Sequence, residues 1–234
     1  MHIQGLLTLL SAMLFMSSAN ATVNLIKNSD AEAGAGGNSQ VVVVPSWQDL
    51  TGNFTVIKYD IGGGYVASSD PGPADRGLNY FGGGANNLYS SAYQVTDILQ
   101  NAGNAAFYAS GYFGGFGGQT DYSQLTIKFL DATSSEISSV TFGSTTPGER
   151  GGATGLLFKE ISGLTPVGTT QIGFLLQMQR EQGSANDGYA DNLFFSVNPV
   201  PEANTYSMLL AGLGLLGVIA RRKQQHVNNR KVRP

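Results

Sequence analysis

Cysteine is absent from the 234-residue chain, which removes disulfide frameworks, thiolate nucleophiles, thiolate zinc sites and iron–sulfur clusters together. Histidine is nearly absent: His2 and His226 both lie in terminal segments that read as addressing signals rather than as part of a folded body. A body without imidazole has no Ser-His-Asp triad, no histidine-ligated metal and no histidine general base. Charge is also scarce, at 12% of residues, and unevenly spread. Six of the 13 basic residues fall in the last fourteen positions, so residues 22–199 hold seven basic against fifteen acidic groups, a net of −8. A body of that sign repels phosphate backbones, which argues against nucleic acid as a partner. Carboxylate, Tyr, Lys or Ser chemistry is what remains.

The ends of the chain are informative. Residues 6–16, LLTLLSAMLFM, form an apolar run of the length of a signal-peptide core. They lead into Ser17-Ser18-Ala19-Asn20-Ala21, where Ala19 and Ala21 make a small-residue cleavage pattern, so residues 1–21 are expected to be a signal peptide removed after Ala21. One departure is the start, MHIQG, which has no Lys or Arg. At the other end no charge interrupts residues 203–220, and a helix of that length covers about 27 Å, enough for a thin bilayer. A transmembrane helix over about 205–220 is expected, stopped by Arg221-Arg222-Lys223 on the cytoplasmic side. The body would then lie outside the inner membrane. Residues 224–234 read as a disordered basic tail.

Pro201-Glu202, the short Gly/Leu-rich stretch and the basic cluster Arg221, Arg222 and Lys223 together resemble the PEP-CTERM sorting signal over about residues 200–223. That resemblance implies an exosortase-like partner, a transpeptidase-like membrane enzyme of exopolysaccharide-producing Gram-negative bacteria. It further implies transient membrane anchoring, then removal of the tail near Pro201-Glu202 and release or attachment at the cell surface. A permanent single-span anchor is the alternative.

Between the two signals, residues 22–199 carry about ten short runs rich in Val, Ile, Phe, Tyr and Thr: 23–28, 41–44, 54–59, 87–95, 104–113, 123–130, 136–142, 155–161, 170–179 and 190–197. Gly, Asn, Asp or Pro bounds most of them, and no long segment has helical period. The pattern predicts an all-β domain, an antiparallel jelly-roll β-sandwich. Glycine clusters at 62–64, 82–84, 114–118 and 151–152 read as turns and bulges, since none has the strand-loop-helix context of a phosphate loop. Their aromatic neighbours Tyr65, Tyr80, Tyr112 and Phe116, with Trp47, the sole Trp, are candidates for stacking on sugar rings; core packing is the competing role for each.

Asn24-Leu25-Ile26-Lys27-Asn28-Ser29-Asp30-Ala31-Glu32, Val44-Pro45-Ser46-Trp47 and the closing Asp187-Gly188-Tyr189-Ala190-Asp191-Asn192-Leu193 resemble the opening and closing strands of galactose-binding-like and carbohydrate-binding β-sandwich modules. Ser29 and Ala31 depart from the Gly and aromatic residue of that pattern. The resemblance implies neighbouring first and last strands joined by a structural calcium through Glu32 and Asp191, with Asp30 a further ligand. Calcium takes six to eight oxygens and requires neither Cys nor His. Ordinary turn chemistry is the other reading of these acidic residues.

Three functions are compatible with these residues: a non-catalytic module binding exopolysaccharide or another glycan, a structural matrix protein without specific ligand, and a glycan-cleaving enzyme using two carboxylates. Asp60, Asp70, Asp75, Asp187 and Asp191 read as turn or surface residues, and none stands in a context that marks it as catalytic. Arg76 and Arg150 read either as surface partners of Asp75 and Glu149 or as donors to a sugar hydroxyl or carboxylate.

Overall fold

In the computed structural model the described residues are 23–38, 40–98 and 103–198, with the isolated positions Leu213 and Leu216, which are helical. The signal peptide, nearly all of the expected transmembrane helix and the 224–234 tail therefore lie outside the described residues. Among the described residues no helix is long and apolar enough to cross a membrane.

Ten strands form two antiparallel five-stranded sheets: β1 (Gln48–Thr51), β2 (Thr55–Lys58), β3 (Asn79–Gly82), β4 (Tyr89–Asp97), β5 (Ala106–Gly115), β6 (Tyr122–Leu130), β7 (Glu136–Gly143), β8 (Gly155–Leu164), β9 (Gln171–Gln179) and β10 (Tyr189–Asn198). One sheet has the order β1-β4-β9-β6-β7 and the other β2-β3-β10-β5-β8. This is the expected all-β sandwich. Alternation places Leu125, Ile127 and Phe129 of β6 beside Ile172, Phe174 and Leu176 of β9 on one inner face. Phe107 and Phe195 face them from the other sheet, and Phe174 meets Phe195 edge to face at 5.2 Å. Each such ring stabilises the fold by roughly 1.5–3 kcal/mol through burial.

Two expected strands are not strands. In 41–44, Val41 is 49% and Val43 86% exposed, and the Val42 N–H donates to the Thr55 hydroxyl rather than to a ladder. Pro45 then ends any extension, having no N–H to give. Residues 23–28 lie against β10 through single backbone bonds, the Leu25 N–H to the Phe195 carbonyl among them, and through Asn24, whose amide bonds the Leu193 carbonyl and accepts the Phe195 N–H. The opening and closing segments are thus neighbours, joined largely by a side chain.

The segment between β2 and β3 folds over the outer face of the second sheet and makes a smaller core of Ile57, Tyr59, Val66, Tyr80, Leu156 and Tyr189. Strand β10 bulges between Asp191 and Phe194, with Asn192 at φ 45°. Gly114 and Gly155 meet where β5 pairs with β8, and a Cβ on Gly114 would overlap the Gly155 carbonyl oxygen. Gly118, four residues on, has nothing within 4 Å of such an atom. Gly114→Ala is therefore expected to lower the melting temperature strongly, while Gly118→Ala leaves the unfolding free energy within about 0.5 kcal/mol of the parent; thermal unfolding of the pair checks this.

Candidate functional site

The loops at the β10 N-terminal end of the sandwich lack regular structure and are held by two buried side chains. Asp121, fully buried, accepts the N–H groups of Glu181 (2.7 Å) and Gln182 (2.8 Å) on one oxygen and that of Asp187 (3.0 Å) on the other. Arg150, only 6% exposed, donates to the carbonyls of Gly117, Gln119, Thr145 and Ala153 and to the Thr145 hydroxyl. This corrects the surface ion-pair reading: Glu149 pairs instead with Lys159 at 2.6 Å. Arg76 likewise bonds the carbonyls of Ala67, Asp70 and Pro73, while Asp75 takes the Asn192 amide. Both arginines organise backbone, because a guanidinium offers five fixed donors to carbonyls that no ladder satisfies.

Above Asp121 and Arg150 opens a pocket of about 140 Å³ lined by Gly63, Tyr65, Phe116, Ala185, Asp187 and Tyr189. Gly62, Gly63 and Gly64 all have positive φ, and a Cβ on Gly64 would overlap the Phe116 ring. The glycine cluster is what lets this loop lie against the Phe116 ring. Tyr65 and Phe116 are both half-buried. Asp187 accepts the Tyr189 hydroxyl on Oδ1 at 2.7 Å, and no described residue donates to its Oδ2. Burial, aided by the nearby Asp121, raises the Asp187 carboxyl above the ordinary range, and the Tyr189 bond opposes that shift. An aromatic pair beside a carboxyl oxygen without a protein donor can take a sugar ring face and one of its hydroxyls.

The other nominated aromatics are elsewhere. Trp47 is a core residue, packed on Phe81 at 5.6 Å and Phe54 at 6.1 Å, with its indole N–H on the Asn28 carbonyl. Tyr80 is fully buried between Tyr59 and Tyr189 and accepts the Val66 N–H. Neither presents a ring face to solvent. Tyr112 packs edge to face on Phe158 at 5.4 Å on the outer sheet surface, outside the pocket. Asp187 and Asp191, read as turn or surface residues, are buried. Asp187 precedes β10, and its bond to the Tyr189 hydroxyl is a local one, two residues along the chain, that the sequence pattern alone does not mark as a site.

A second surface was not foreseen. On the outer face of the first sheet, the Gln177 amide bonds the Tyr89 hydroxyl, and its carbonyl accepts from Thr126 (3.1 Å) and Gln124 (3.3 Å). Tyr93 lies across Gly173 on the same face, beside a groove of about 450 Å³ lined also by Lys27, Gln48, Gln94 and the Trp47 edge. It contains no carboxylate.

Glu32 and Asp30 are near enough for their charges to act on Asp191, but the three do not form a ligand cluster, and each is engaged by the protein. Glu32 accepts the N–H groups of Leu78 and Asn79, both at 2.7 Å, and Asp30 accepts the Glu32 N–H at 3.3 Å. Asp191, fully buried, accepts the Tyr59 hydroxyl at 2.6 Å and the Asn192 N–H at 2.8 Å. Among the described residues no group of three or more Asp, Glu or His is placed to hold a metal ion. Calcium between Glu32 and Asp191 would have to displace the Tyr59 hydroxyl. The buried Oδ1 of Asn79, without a hydrogen-bond partner, belongs to the same pocket lining as Glu32.

Burial pushes the Asp191 carboxyl up to about 8; bonds from Tyr59 and Asn192 oppose this, and the charges of Glu32 and Asp30 add to it. A carboxyl whose folded value lies above its unfolded one binds more protons when folded, so stability falls as pH rises between the two values. Melting temperature is expected to decline from about pH 4 to about pH 8 in chelator, and Asp191→Asn, an analogue of the neutral acid, to flatten that slope. A bound calcium ion requires the ionised form. If calcium removes the slope in the parent protein, and Glu32→Gln abolishes that effect, the cation sits there; an unchanged slope excludes it.

Comparison with known proteins identifies one motif: residues 199–223 match the PEP-CTERM protein-sorting motif. The motif implies export, a membrane-anchored C-terminal signal and processing by exosortase. No curated protein matches the chain. Among solved structures, the Stig cyclase Fisc from Fischerella sp. TAU is 13% identical with a TM-score of 0.53, covering 77% of this chain and all of that one, a likeness of fold. The family 16 carbohydrate-binding module-2 is 18% identical with a TM-score of 0.46, covering 74% of this chain and 99% of that one. The enzymatically active domain of bacteriophage CBA120 tailspike protein 4 is 16% identical with a TM-score of 0.48 over 75% of this chain, which spans 22% of that protein's length.

Proposed function

We propose that this is an exported, exosortase-processed surface or matrix protein of a Gram-negative bacterium whose sandwich binds a glycan, its producer's exopolysaccharide, without cleaving it. The observation that carries the reading is the pocket at Tyr65, Phe116 and Asp187: two pliable-loop aromatics and one available carboxyl oxygen, above a rigid polar floor. The sorting motif agrees with it in destination.

Binding is favoured over hydrolysis by the distribution of carboxylates. Glycoside hydrolysis uses two carboxyl groups flanking one bond. The pocket at Tyr65 is lined by Asp187 alone, the one at Glu32 by Glu32 alone and the groove at Tyr93 by none. Asp121, whose charge acts on Asp187, is fully buried with both oxygens tied to backbone.

Affinity electrophoresis of residues 22–199 through the producer's purified exopolysaccharide tests this. Retardation is expected, with Phe116→Ala or Tyr65→Ala weakening binding by roughly 1 kcal/mol, about fivefold in Kd, and Tyr112→Ala leaving it unchanged. Retardation lost in Tyr93→Ala but retained in Phe116→Ala would move the site to the groove on the first sheet. A body that runs with an inert control protein in every gel leaves the structural matrix role.

A further inference from the structure

Strand β10 connects the two ends of the sandwich. It starts beside the pocket at Tyr189 and runs to Asn198, a span of roughly 30 Å at about 3.3 Å per residue. The chain then leaves the body at the end opposite the pocket.

That exit is surrounded by exposed aliphatic side chains. Asn198 pairs with Ala106, and Ala106 with Leu164 at the end of β8. Leu164 is 65% and Val167, in the turn that follows, 70% exposed. Ile137, 41% exposed, lies against the same turn, within 3.7 Å of a Cβ position on Gly168. Val23, 67% exposed, belongs to the same end, since its neighbour Leu25 bonds Phe195 and the opening segment runs antiparallel to β10. The turns here, residues 97–98, 130–137 and 162–171, carry Asp97, Asp131 and Glu136 and no basic side chain of their own, and Lys128 of β6 reaches them as the ion-pair partner of Glu136. Any contact made by this end is therefore apolar rather than an attraction to anionic headgroups.

The sequence fixes how far this rim can be from a bilayer. Four residues, 199–202, separate the last described residue from the uncharged stretch 203–220. Four residues reach at most about 14 Å when fully extended. We propose that, while the sorting segment is in the membrane, the rim formed by Val23, Ile137, Leu164 and Val167 rests on the lipid surface and the Tyr65 pocket faces away from it. The inference rests on the reading that residues 203–220 enter the bilayer. A few aliphatic side chains hold weakly, as even a whole myristoyl chain gives only marginal membrane binding. Cutting the tail would then free the body, and before the cut the pocket already faces outward.

The absence of cysteine makes single-cysteine labelling of the full chain clean. Val167→Cys, Gly118→Cys in the pocket-end loops and Leu216→Cys in the sorting segment each receive a polarity-sensitive thiol dye, and the chains are reconstituted into phosphatidylcholine vesicles with and without brominated acyl chains. Loss of emission on brominated lipid is expected at positions 216 and 167 and not at 118. Loss at 216 without loss at 167, or equal loss at 167 and 118, overturns the docked rim while leaving membrane insertion intact. No loss at 216 means that the segment does not insert, and the inference falls with that reading.

Discussion

The guanidinium of Arg150 holds the pocket end together. Three loops, 116–121, 144–154 and 180–188, converge there without a sheet to satisfy their polar groups, and a buried carbonyl without a donor costs about 1–3 kcal/mol. One side chain supplies Gly117, Gln119, Thr145 and Ala153, while Asp121 supplies acceptors for the N–H groups of 181, 182 and 187. Burial lowers the Arg150 value and the charges of Asp121 and Glu149 oppose that shift, so the cation remains a cation. The aromatic residues above depend on this frame: Phe116 immediately precedes the carbonyl of Gly117 that Arg150 binds, and Asp187 hangs from Asp121 through its own N–H.

The same economy explains why charged residues are scarce yet consequential. Among the described residues only two ion pairs form, Lys128–Glu136 and Lys159–Glu149, both exposed at their side chains and worth little in water. The charges that matter to the fold bind backbone: Arg76, Arg150, Asp121 and Glu32. A chain with long irregular loops and no disulfide needs donors and acceptors spread along those loops, and buried ionic side chains meet that need with the fewest residues.

Much of the sandwich was legible because period-two alternation survives wherever a strand has one face inside, as in β6. The failures have local causes. Residues 41–44 have the strand composition and one face on the core, with Val42 and Val44 packed inward and Val41 and Val43 in solvent, but the Val42 N–H is taken by the Thr55 hydroxyl rather than by a ladder. β3 was hidden by its surroundings, Asn79-Tyr80-Phe81-Gly82, which read as a glycine loop although Tyr80 and Phe81 enter two different cores. For the site, aromatic residues beside glycines were a sound signal for Tyr65 and Phe116 and a poor one for Tyr80, because composition does not reveal that the 59–78 segment closes over the outer sheet face. Asp187 was misread for the same reason: in isolation Asn186-Asp187-Gly188 is turn chemistry, and only the long-range placement of Asp121 makes it a buried pocket wall.

That closing segment also determines what the opening motif does. By covering the outer face of β10 it takes Asp191 out of water, and the buried carboxyl then finds the Tyr59 hydroxyl, itself supplied by the covering segment and overlaid by Arg76 at 5.3 Å. Glu32 meanwhile grips the far end of the segment at Leu78 and Asn79. The acidic residues of the first and last segments thus act on the loop between β2 and β3, whose other end carries Gly62, Gly63, Gly64 and Tyr65. Glu32 and the aromatic pocket lie at the two ends of one loop, which Glu32 holds at Leu78 and Asn79 and which contributes Tyr65 to the pocket.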